Sequence, residues 1–417
     1  MEQLQSRLGR RDAYLYIAAA TLGSFGLGVT AFYLNFLYRA LGYDGLALGA
    51  LVGAQALGVA FGVLIARFAA PGRSRKLVII AGGVIVGAGV VGLLTLDAYP
   101  LLMVSSALVG LGGIVATSSG VALLADATEA GARSSRFGQQ IALGTMAAFT
   151  ASVLAGALAA PVAAVLGARQ DDALTLRALV ALGGIVGASS AIPVLLIRDV
   201  AVSRATSGRL GRLIARFALV EMVFGFGAGS FIPFINLFFA DRFALDFRAI
   251  GVALGTIAVA GSLGALVHGR IVASRIGPVP AVAAVVAAST PFALIAALTG
   301  NVVVAVAALA VRAMFMYGTQ ATWSAYQLSS FTPAERAAAN ASLALVWNVA
   351  AALASSASGA IRGALGPAGF TVNLVVLIAC YLAAAALQFM LFRGREPKGD
   401  VVAVDAELRA AWPTNAD

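Results

Sequence analysis

The sequence predicts an all-α polytopic membrane protein with twelve transmembrane helices in two six-helix bundles. Three observations predict this fold: the apolar composition, the succession of apolar stretches, and the uneven distribution of Lys and Arg among the connectors. Of 417 residues, 61% are hydrophobic and 11% are charged, whereas soluble domains have roughly 45–50% and about 25%. A soluble fold of this composition lacks the polar side chains needed to cover its surface, and the mean hydropathy of +0.95 indicates long apolar runs.

Apolar stretches of about 20 residues or more have the length that a ~30 Å hydrocarbon layer requires at 1.5 Å per helical residue. Twelve are predicted, at residues 13–38, 45–66, 77–96, 100–125, 138–166, 176–197, 216–240, 247–269, 277–299, 301–327, 337–361 and 368–392. Charged residues, Gly or Pro bound them. In the first half these are Asp12 and Arg39, Asp44 and Arg67, Lys76 and Asp97, Pro100 and Asp126, Gly138 and Gly167, and Asp172 and Arg198. In the second half they are Arg216 and Asp241, Asp246 and Arg270, Gly277 and Gly300, Gly300 and Pro333, Arg336 and Arg362, and Pro367 and Arg393.

The 28 Lys and Arg residues predict the orientation, because short cytoplasmic loops are enriched in them. With the N-terminus inside, twelve spans place 21 of them on the inner side, 6 on the outer side and only Arg312 within a span. We therefore predict a multi-pass protein of the cytoplasmic (cell inner) membrane with both termini in the cytoplasm. The net charge of +10 is spread over connectors rather than one folded face, which argues against a nucleic-acid partner.

The two halves of the chain resemble each other. A shift of 201 positions places the first span on the seventh, and a shift of 203 aligns the loops and helices that follow spans four and ten. The aligned pairs are Phe25–Gly28 with Phe226–Gly229, Asn35 with Asn236, Arg133 with Arg336, and Gly156 with Gly359. Parallel repeats are typical of transporters whose bundles rock about a central site. The predicted organisation is an N-terminal bundle (1–197), a basic linker (198–215), a C-terminal bundle (216–392) and a cytoplasmic tail (393–417).

The loops after spans two and eight share a pattern of Gly, apolar residues, Arg, and a second Gly with basic residues. The first copy contains Gly62, Arg67, Gly72, Arg73, Arg75 and Lys76, and the second contains Gly269, Arg270, Arg275 and Gly277. With the repeat, this pattern resembles the major facilitator superfamily over essentially the whole chain. The resemblance implies the two-bundle fold, transport by alternating access, and a conformational role for Gly62, Arg67, Arg73, Arg275 and Gly277.

The chain departs from the family pattern at three places. Ala66 and Ser274 occupy the acidic position of the loop motif, so the family's Asp latch is missing. Ser106 stands where many members have an Arg in span four, whereas Arg312 occupies the corresponding place in span ten. The Gly-Pro pair of proton–drug antiporters is absent before Pro161, so a drug–proton exchanger is not the favoured function.

Arg312 is the strongest single-site prediction. An ionisable group in hydrocarbon costs about 2.5–3.5 kcal/mol on insertion scales, so this side chain must face the bundle interior or water. A guanidinium offers a planar fork of donors to a carboxylate or phosphate, which predicts an anionic or zwitterionic substrate. The alternative is a structural Arg held by carbonyls or a carboxylate within the C-terminal bundle.

Glu221 is predicted to lie about 10 Å into span seven and is the natural partner of Arg312. A buried carboxylate can also carry a coupling proton. The alternative is an interfacial carboxylate that pairs with Arg216 or another loop Arg. Both readings stay open on the sequence alone.

Other polar residues fall within predicted spans. Asn35 and Asn236 occupy matching positions toward the outer ends of spans one and seven, which favours a gate or helix–helix contact over substrate binding. Spans two, five, ten and eleven line the cavity in the resembled family, and candidate substrate contacts there are Gln55, Gln140, Gln320, Trp347 and Asn348.

The predicted function is a secondary active transporter of a small solute, with proton coupling left open. The alternative on the same scaffold is a lipid or amphiphile flippase or a drug exporter. An intramembrane enzyme is disfavoured, because one His (His268), one Cys (Cys380) and no HExxH or GxSxG motif supply no catalytic group set. No cofactor or metal is predicted; the partners are a small-molecule substrate and the lipid bilayer, and the chain is expected to be monomeric.

Overall fold

A computed structural model of the chain describes residues 2–69, 74–128, 133–198, 212–268 and 277–394. Helices form nearly all of these ranges, and they are numbered here by membrane span. The first half contains α1 (Glu2–Ala40), α2 (Gly45–Ala69), α3 (Arg75–Thr95), α4 (Tyr99–Asp126), α5 (Arg133–Leu166) and α6 (Ala173–Ser189, continued by Ala191–Leu196). The second half contains α7 (Arg212–Phe231, continued by Ile235–Phe243 after the 3-10 turn Ile232–Phe234), α8 (Phe247–His268), α9 (Pro278–Leu298), α10 (Val302–Ser329), α11 (Pro333–Leu365) and α12 (Gly369–Phe392).

The span count agrees with the sequence prediction. Within the described residues, 11 stretches are long and apolar enough to cross a membrane, and the last of them, Ala338–Phe392, is 55 residues long. That stretch contains most of α11 and all of α12, which the 3-10 turn Gly366–Ala368 separates. Counting these two helices separately gives twelve spans, so the predicted multi-pass all-α fold is confirmed.

Aspartates begin corresponding helices in the two halves. Oδ1 of Asp44 accepts a 2.8 Å hydrogen bond from the backbone N–H of Ala47 at the start of α2, and Oδ1 of Asp246 accepts one of 2.8 Å from Ala249 at the start of α8. Each bond satisfies a backbone donor that a helix N-terminus leaves free. Asp44 and Asp246 are 202 positions apart, between the repeat shifts of 201 and 203, so matched helices begin in the same way.

Small residues bring neighbouring helices into backbone contact within each half. Where α2 crosses α4, a Cβ on Gly58 would lie 1.9 Å from the carbonyl oxygen of Ala107, and a Cβ on Gly110 would lie 2.0 Å from that of Gln55. Close packing through small residues is typical of membrane helices, because lipid supplies no hydrophobic force between them.

In the described ranges, the halves meet mainly through three helix pairs: α2 with α11, α5 with α8, and α1 with the second segment of α7. The interface between the halves is most closely packed where α1 and α7 end and α2 and α8 begin. We call this end of the molecule the sealed end. There the rings of Phe32, Tyr33 and Phe36 surround Phe247 of α8, with centroids 4.8 to 6.4 Å apart. Every residue from Phe32 to Tyr38 is buried, so α1 is covered on all sides at this end.

The halves separate toward the opposite end. On α5, Ser152 contacts α8, whereas Ile141, three helical turns earlier on the same face, is 63% exposed. On α1, Leu27 is 49% exposed although Phe32 is buried. We call the space between the halves the gap, and the end at which α1 and α7 begin the open end.

Candidate functional site between the two halves

The contacts of α10 with neighbouring helices identify the face of α10 that borders the gap. Trp323 lies on the face that meets α7, and Tyr317 lies on the face that meets α8, where it packs against Gly261. At 3.6 residues per turn, Gln320 and Ser324 fall between these two faces. Both residues are exposed, so α10 presents an amide and a hydroxyl to the gap.

The matching wall in the first half is α4. The repeat shift of 203 equates Thr117 with Gln320, and Thr117 is also exposed. It lies between Gly120, which meets Tyr16 of α1, and the α4 face that carries Gly110 and packs against α2. Each half therefore places a neutral polar side chain on the gap at an equivalent position.

Arg312 lies near the middle of α10, is 5% exposed, and has its guanidinium carbon 5.1 Å from the centroid of the Tyr381 ring on α12. Its Nε and Nη2 atoms are buried without a hydrogen-bond partner in the described part of the chain. Because a buried cation is costly in a membrane, an unpaired guanidinium here is a candidate for binding an anion.

Glu221 lies in α7, about 13 Å along the helix from Arg212. Its Oε1 accepts hydrogen bonds of 2.9 Å from Nε1 of Trp323 and 2.5 Å from Nε2 of Gln327, both on α10. The residue is half-buried, and two neutral donors orient its carboxylate.

The predicted partnership of Glu221 with Arg312 is therefore wrong. Arg312 precedes Trp323 by eleven residues, which is about 16 Å along the helix, and no ion pair joins it to Glu221 within the described residues. The alternative pairing with Arg216 is not formed either, because the exposed Arg216 lies on a different face of α7.

The remaining predicted cavity residues occupy different surroundings. Gln55 and Gln140 are half-buried on the faces of α2 and α5 that pack against α4 and α1, respectively. The carbonyl oxygen of Trp347 packs against α7, and Nδ2 of Asn348 donates a 2.8 Å hydrogen bond to the carbonyl oxygen of Ala344 on its own helix. Of the three predicted glutamines, Gln320 is the exposed one.

Asn35 and Asn236 meet at the sealed end, where both are buried. Nδ2 of Asn35 donates to Oδ1 of Asn236 at 2.9 Å and to the carbonyl oxygen of Pro233 at 2.7 Å. In return, Nδ2 of Asn236 donates to the carbonyl oxygen of Phe32 at 2.9 Å. Two residues that the repeat equates thus form hydrogen bonds across the interface between the halves.

An ion pair lies one turn beyond these amides. Nη1 and Nη2 of Arg39 each lie 2.7 Å from a carboxylate oxygen of Asp241 in the other half. Sequence reasoning missed this pair, although a signal was available. Arg39 and Asp241 are 202 positions apart, one more than Asn35 and Asn236, so the repeat places opposite charges at neighbouring positions of the two halves.

The residues of the loop motif are only partly described. Arg73, Arg275 and the side chain of Arg67 lie outside the described residues. Gly62 lies at the α2–α4 crossing, where a Cβ would come within 2.4 Å of an α4 side chain. Gly277 has φ of +86° immediately before α9, a conformation that favours glycine.

A basic residue near this motif has an acidic partner on another helix. Nε of Arg75, at the start of α3, lies 2.6 Å from Oδ2 of Asp126 at the end of α4. Next to it, Nζ of Lys76 donates to the carbonyl oxygens of Leu195 and Ile197 at 2.6 and 2.9 Å. These bonds tie α3, α4 and α6 together at the open end of the first half.

No family model and no curated protein sequence matches the chain. Solved structures do match. A mutant form of the nucleoside transporter NupG has a TM-score of 0.74 at 14% identity, covering 92% of this chain and 100% of that one. An inward-facing, occupied bacterial homologue of the human lysosomal transporter Spinster has a TM-score of 0.69 at 15% identity, covering 91% and 96%. An inward-facing bacterial homologue of the iron transporter ferroportin has a TM-score of 0.69 at 16% identity, covering 91% and 98%.

The fold is that of a multi-pass membrane protein whose two repeat-related halves enclose a central gap. The chain has the fold of the major facilitator superfamily, as the sequence resemblance implied. Identities of 14 to 16% establish this likeness at the level of the fold.

Proposed function

We propose that the protein is a secondary active transporter that carries a small solute across the cytoplasmic membrane by alternating access. The observation that carries the proposal is the gap itself. It lies between two repeat-related bundles, is sealed at one end and open at the other, and carries the matched polar residues Thr117 and Gln320. Bundles that close one end at a time move a solute without forming a continuous pore.

The distribution of charge supports an inward-open state. Basic residues at the open end are expected to face the cytoplasm, by the rule that also orients the termini. Those in the described ranges include Arg10, Arg11, Arg75, Lys76, Arg136, Arg336 and Arg393. At the sealed end, Arg39, Arg169 and Arg177 are each paired with an aspartate, which reduces the positive charge of that side.

Arg312 is assigned the role of anchor for a negatively charged group of the solute. Two of its three guanidinium nitrogens are buried and unpaired, and an arginine fork matches a carboxylate or phosphate. Solute binding supplies the hydrogen-bond acceptors that the described protein does not. The proposed substrate is therefore a small organic anion or a zwitterion.

Transport is tested with purified protein in liposomes, incubated with a defined mixture of nucleosides, amino acids, sugars, carboxylates and sugar phosphates. Mass spectrometry of the vesicle contents should show one class accumulating above protein-free vesicles. In a C380S background, N35C/N236C treated with a short bifunctional thiol reagent should lose this accumulation, and thiol release should restore it. Accumulation that survives cross-linking contradicts alternating access. Movement of a fluorescent short-chain phospholipid between leaflets, with no solute accumulation, would establish the flippase instead.

A further inference from the structure

Arg362 is a second buried arginine whose guanidinium lacks hydrogen-bond partners, and it lies at the sealed end. It occupies the last turn of α11 and is 8% exposed. Its guanidinium carbon lies 4.0 Å from the centroid of the Phe234 ring and 5.4 Å from that of Phe370. Its Nε and Nη2 atoms have no partner in the described chain. The rings stabilise the positive charge but offer no carboxylate or carbonyl acceptor.

The Arg39–Asp241 ion pair lies on the same stretch of α7, because the Phe370 ring that contacts Arg362 is 5.7 Å, between centroids, from the ring of Phe238, one turn before Asp241. Phe234, Phe238 and Asp241 follow one another at spacings of four and three residues, so they line one face of α7. Arg362 stacks on the first of these residues, and Asp241 is the last. Two arginines thus lie along the helix face that carries Asp241, and they come from different halves: Arg39 from the first, Arg362 from the same half as Asp241.

We propose that Asp241 exchanges partners during the transport cycle, binding Arg39 while this end is sealed and Arg362 when α1 and α7 part. The inference rests on the proposed function, because it needs a state in which the sealed end opens. In the sealed state Arg39 occupies both oxygens of Asp241, and Nε and Nη2 of Arg362 have no acceptor in the described chain. When Arg39 withdraws, the carboxylate becomes available to an arginine of its own half.

The exchange explains why a buried arginine is left unpaired next to a satisfied ion pair. Asp241 is partly exposed, and a bridge between the halves with no substitute partner would lose its charge-assisted contact each time it broke. With Arg362 in place, the loss of one charge-assisted contact is offset by the gain of another. The two states then differ little in free energy, as a carrier that must populate both requires.

The exchange predicts opposite effects for the two arginines. In a C380S background, A159C reports opening of the sealed end, because Ala159 is fully buried on α5 near that end. S324C reports the open gap, because Ser324 is exposed on α10. Labelling rates with a membrane-impermeant maleimide are measured in right-side-out and inverted vesicles. R39Q should raise labelling of A159C and lower that of S324C, and R362Q should do the reverse, each by about two- to fivefold as for partly exposed ion pairs.

Controls separate the exchange from general loosening. R177Q removes an arginine that pairs with Asp97 within the first half at the sealed end. This substitution should change the labelling rate of neither A159C nor S324C. R362K keeps the positive charge, so the labelling rates of A159C and S324C in this variant should be close to those with the wild-type Arg362. The exchange is overturned if R362Q raises A159C labelling as R39Q does. It is also overturned if R362Q leaves both labelling rates unchanged while R39Q changes them. Neither result contradicts alternating access. If no variant moves the two reporters in opposite directions, the proposed function itself fails.

Discussion

The side-chain amides of Asn35 and Asn236 are hydrogen-bonded to each other at 2.9 Å, at positions that the internal repeat makes equivalent. Each amide also donates to a backbone carbonyl of the opposite half, at Pro233 and Phe32, respectively. A pair of this kind holds the two halves in register and leaves few polar atoms unsatisfied within a buried interface. The polar contact is therefore part of the seal, beside the aromatic packing around Phe247.

Substitution of Asn35 by Ala should weaken the seal. The variant loses two donated hydrogen bonds, each worth about 0.5–1.5 kcal/mol, so its melting temperature in detergent should fall and labelling of A159C from the sealed end should rise. The matched control is N348A, because within the described residues the Asn348 amide donates to a carbonyl of its own helix. If N35A and N348A have the same melting temperature and the same A159C labelling rate, the hydrogen bonds between the halves do not stabilise the sealed state.

A second prediction concerns the α2–α11 contact. A Cβ on Gly359 would lie 2.2 Å from the carbonyl oxygen of Gly45 and 2.8 Å from Cα of Gly49, and backbone atoms cannot move aside as a flexible side chain can. G359A should push the helices apart, lower the melting temperature and raise A159C labelling. At Gly363, one turn further along α11, the nearest atom is 3.8 Å away. G363A should therefore behave as the wild type, and a comparable loss in both variants would contradict a specific steric contact.

The sequence predicted features that depend on composition along one helix or on the repeat. Span positions follow from apolar length, and the meeting of Asn35 with Asn236 follows from their equivalence once the halves face each other. It did not predict the neighbours of Glu221, because these depend on the rotation and register of α10 against α7. The rotation of each helix about its own axis likewise determines that Gln320 faces the gap whereas Gln55 and Gln140 face neighbouring helices. The repeat also places Arg39 and Asp241 within one position of each other, and their opposite charges could have predicted the ion pair.

A third prediction separates a binding role for Arg312 from a structural one. Met has a similar length and no charge, so R312M removes an unpaired buried cation and should leave the melting temperature unchanged or higher. Solute accumulation in liposomes should be lost. Arg242 is the matched control, because its guanidinium donates to Oγ1 of Thr371 at 2.7 Å and to the carbonyl oxygen of Thr299 at 3.3 Å. R242M should lower the melting temperature, and a similar fall in R312M would contradict the anchor.

The last prediction uses Glu221 to separate charge from hydrogen bonding. In E221Q the side-chain carbonyl oxygen can still accept hydrogen bonds from Nε1 of Trp323 and Nε2 of Gln327. The free energy of unfolding of this variant should therefore lie within about 1 kcal/mol of the wild-type value. E221A leaves both donors without an acceptor in a half-buried site. Its free energy of unfolding should fall by about 2–4 kcal/mol, since each unsatisfied group costs about 1–3 kcal/mol. Because E221Q keeps the contacts and removes the charge, any loss of solute accumulation or of its pH dependence in this variant is assigned to the carboxylate. Normal accumulation by E221Q at every pH would show that Glu221 only joins α7 to α10 and takes no part in coupling.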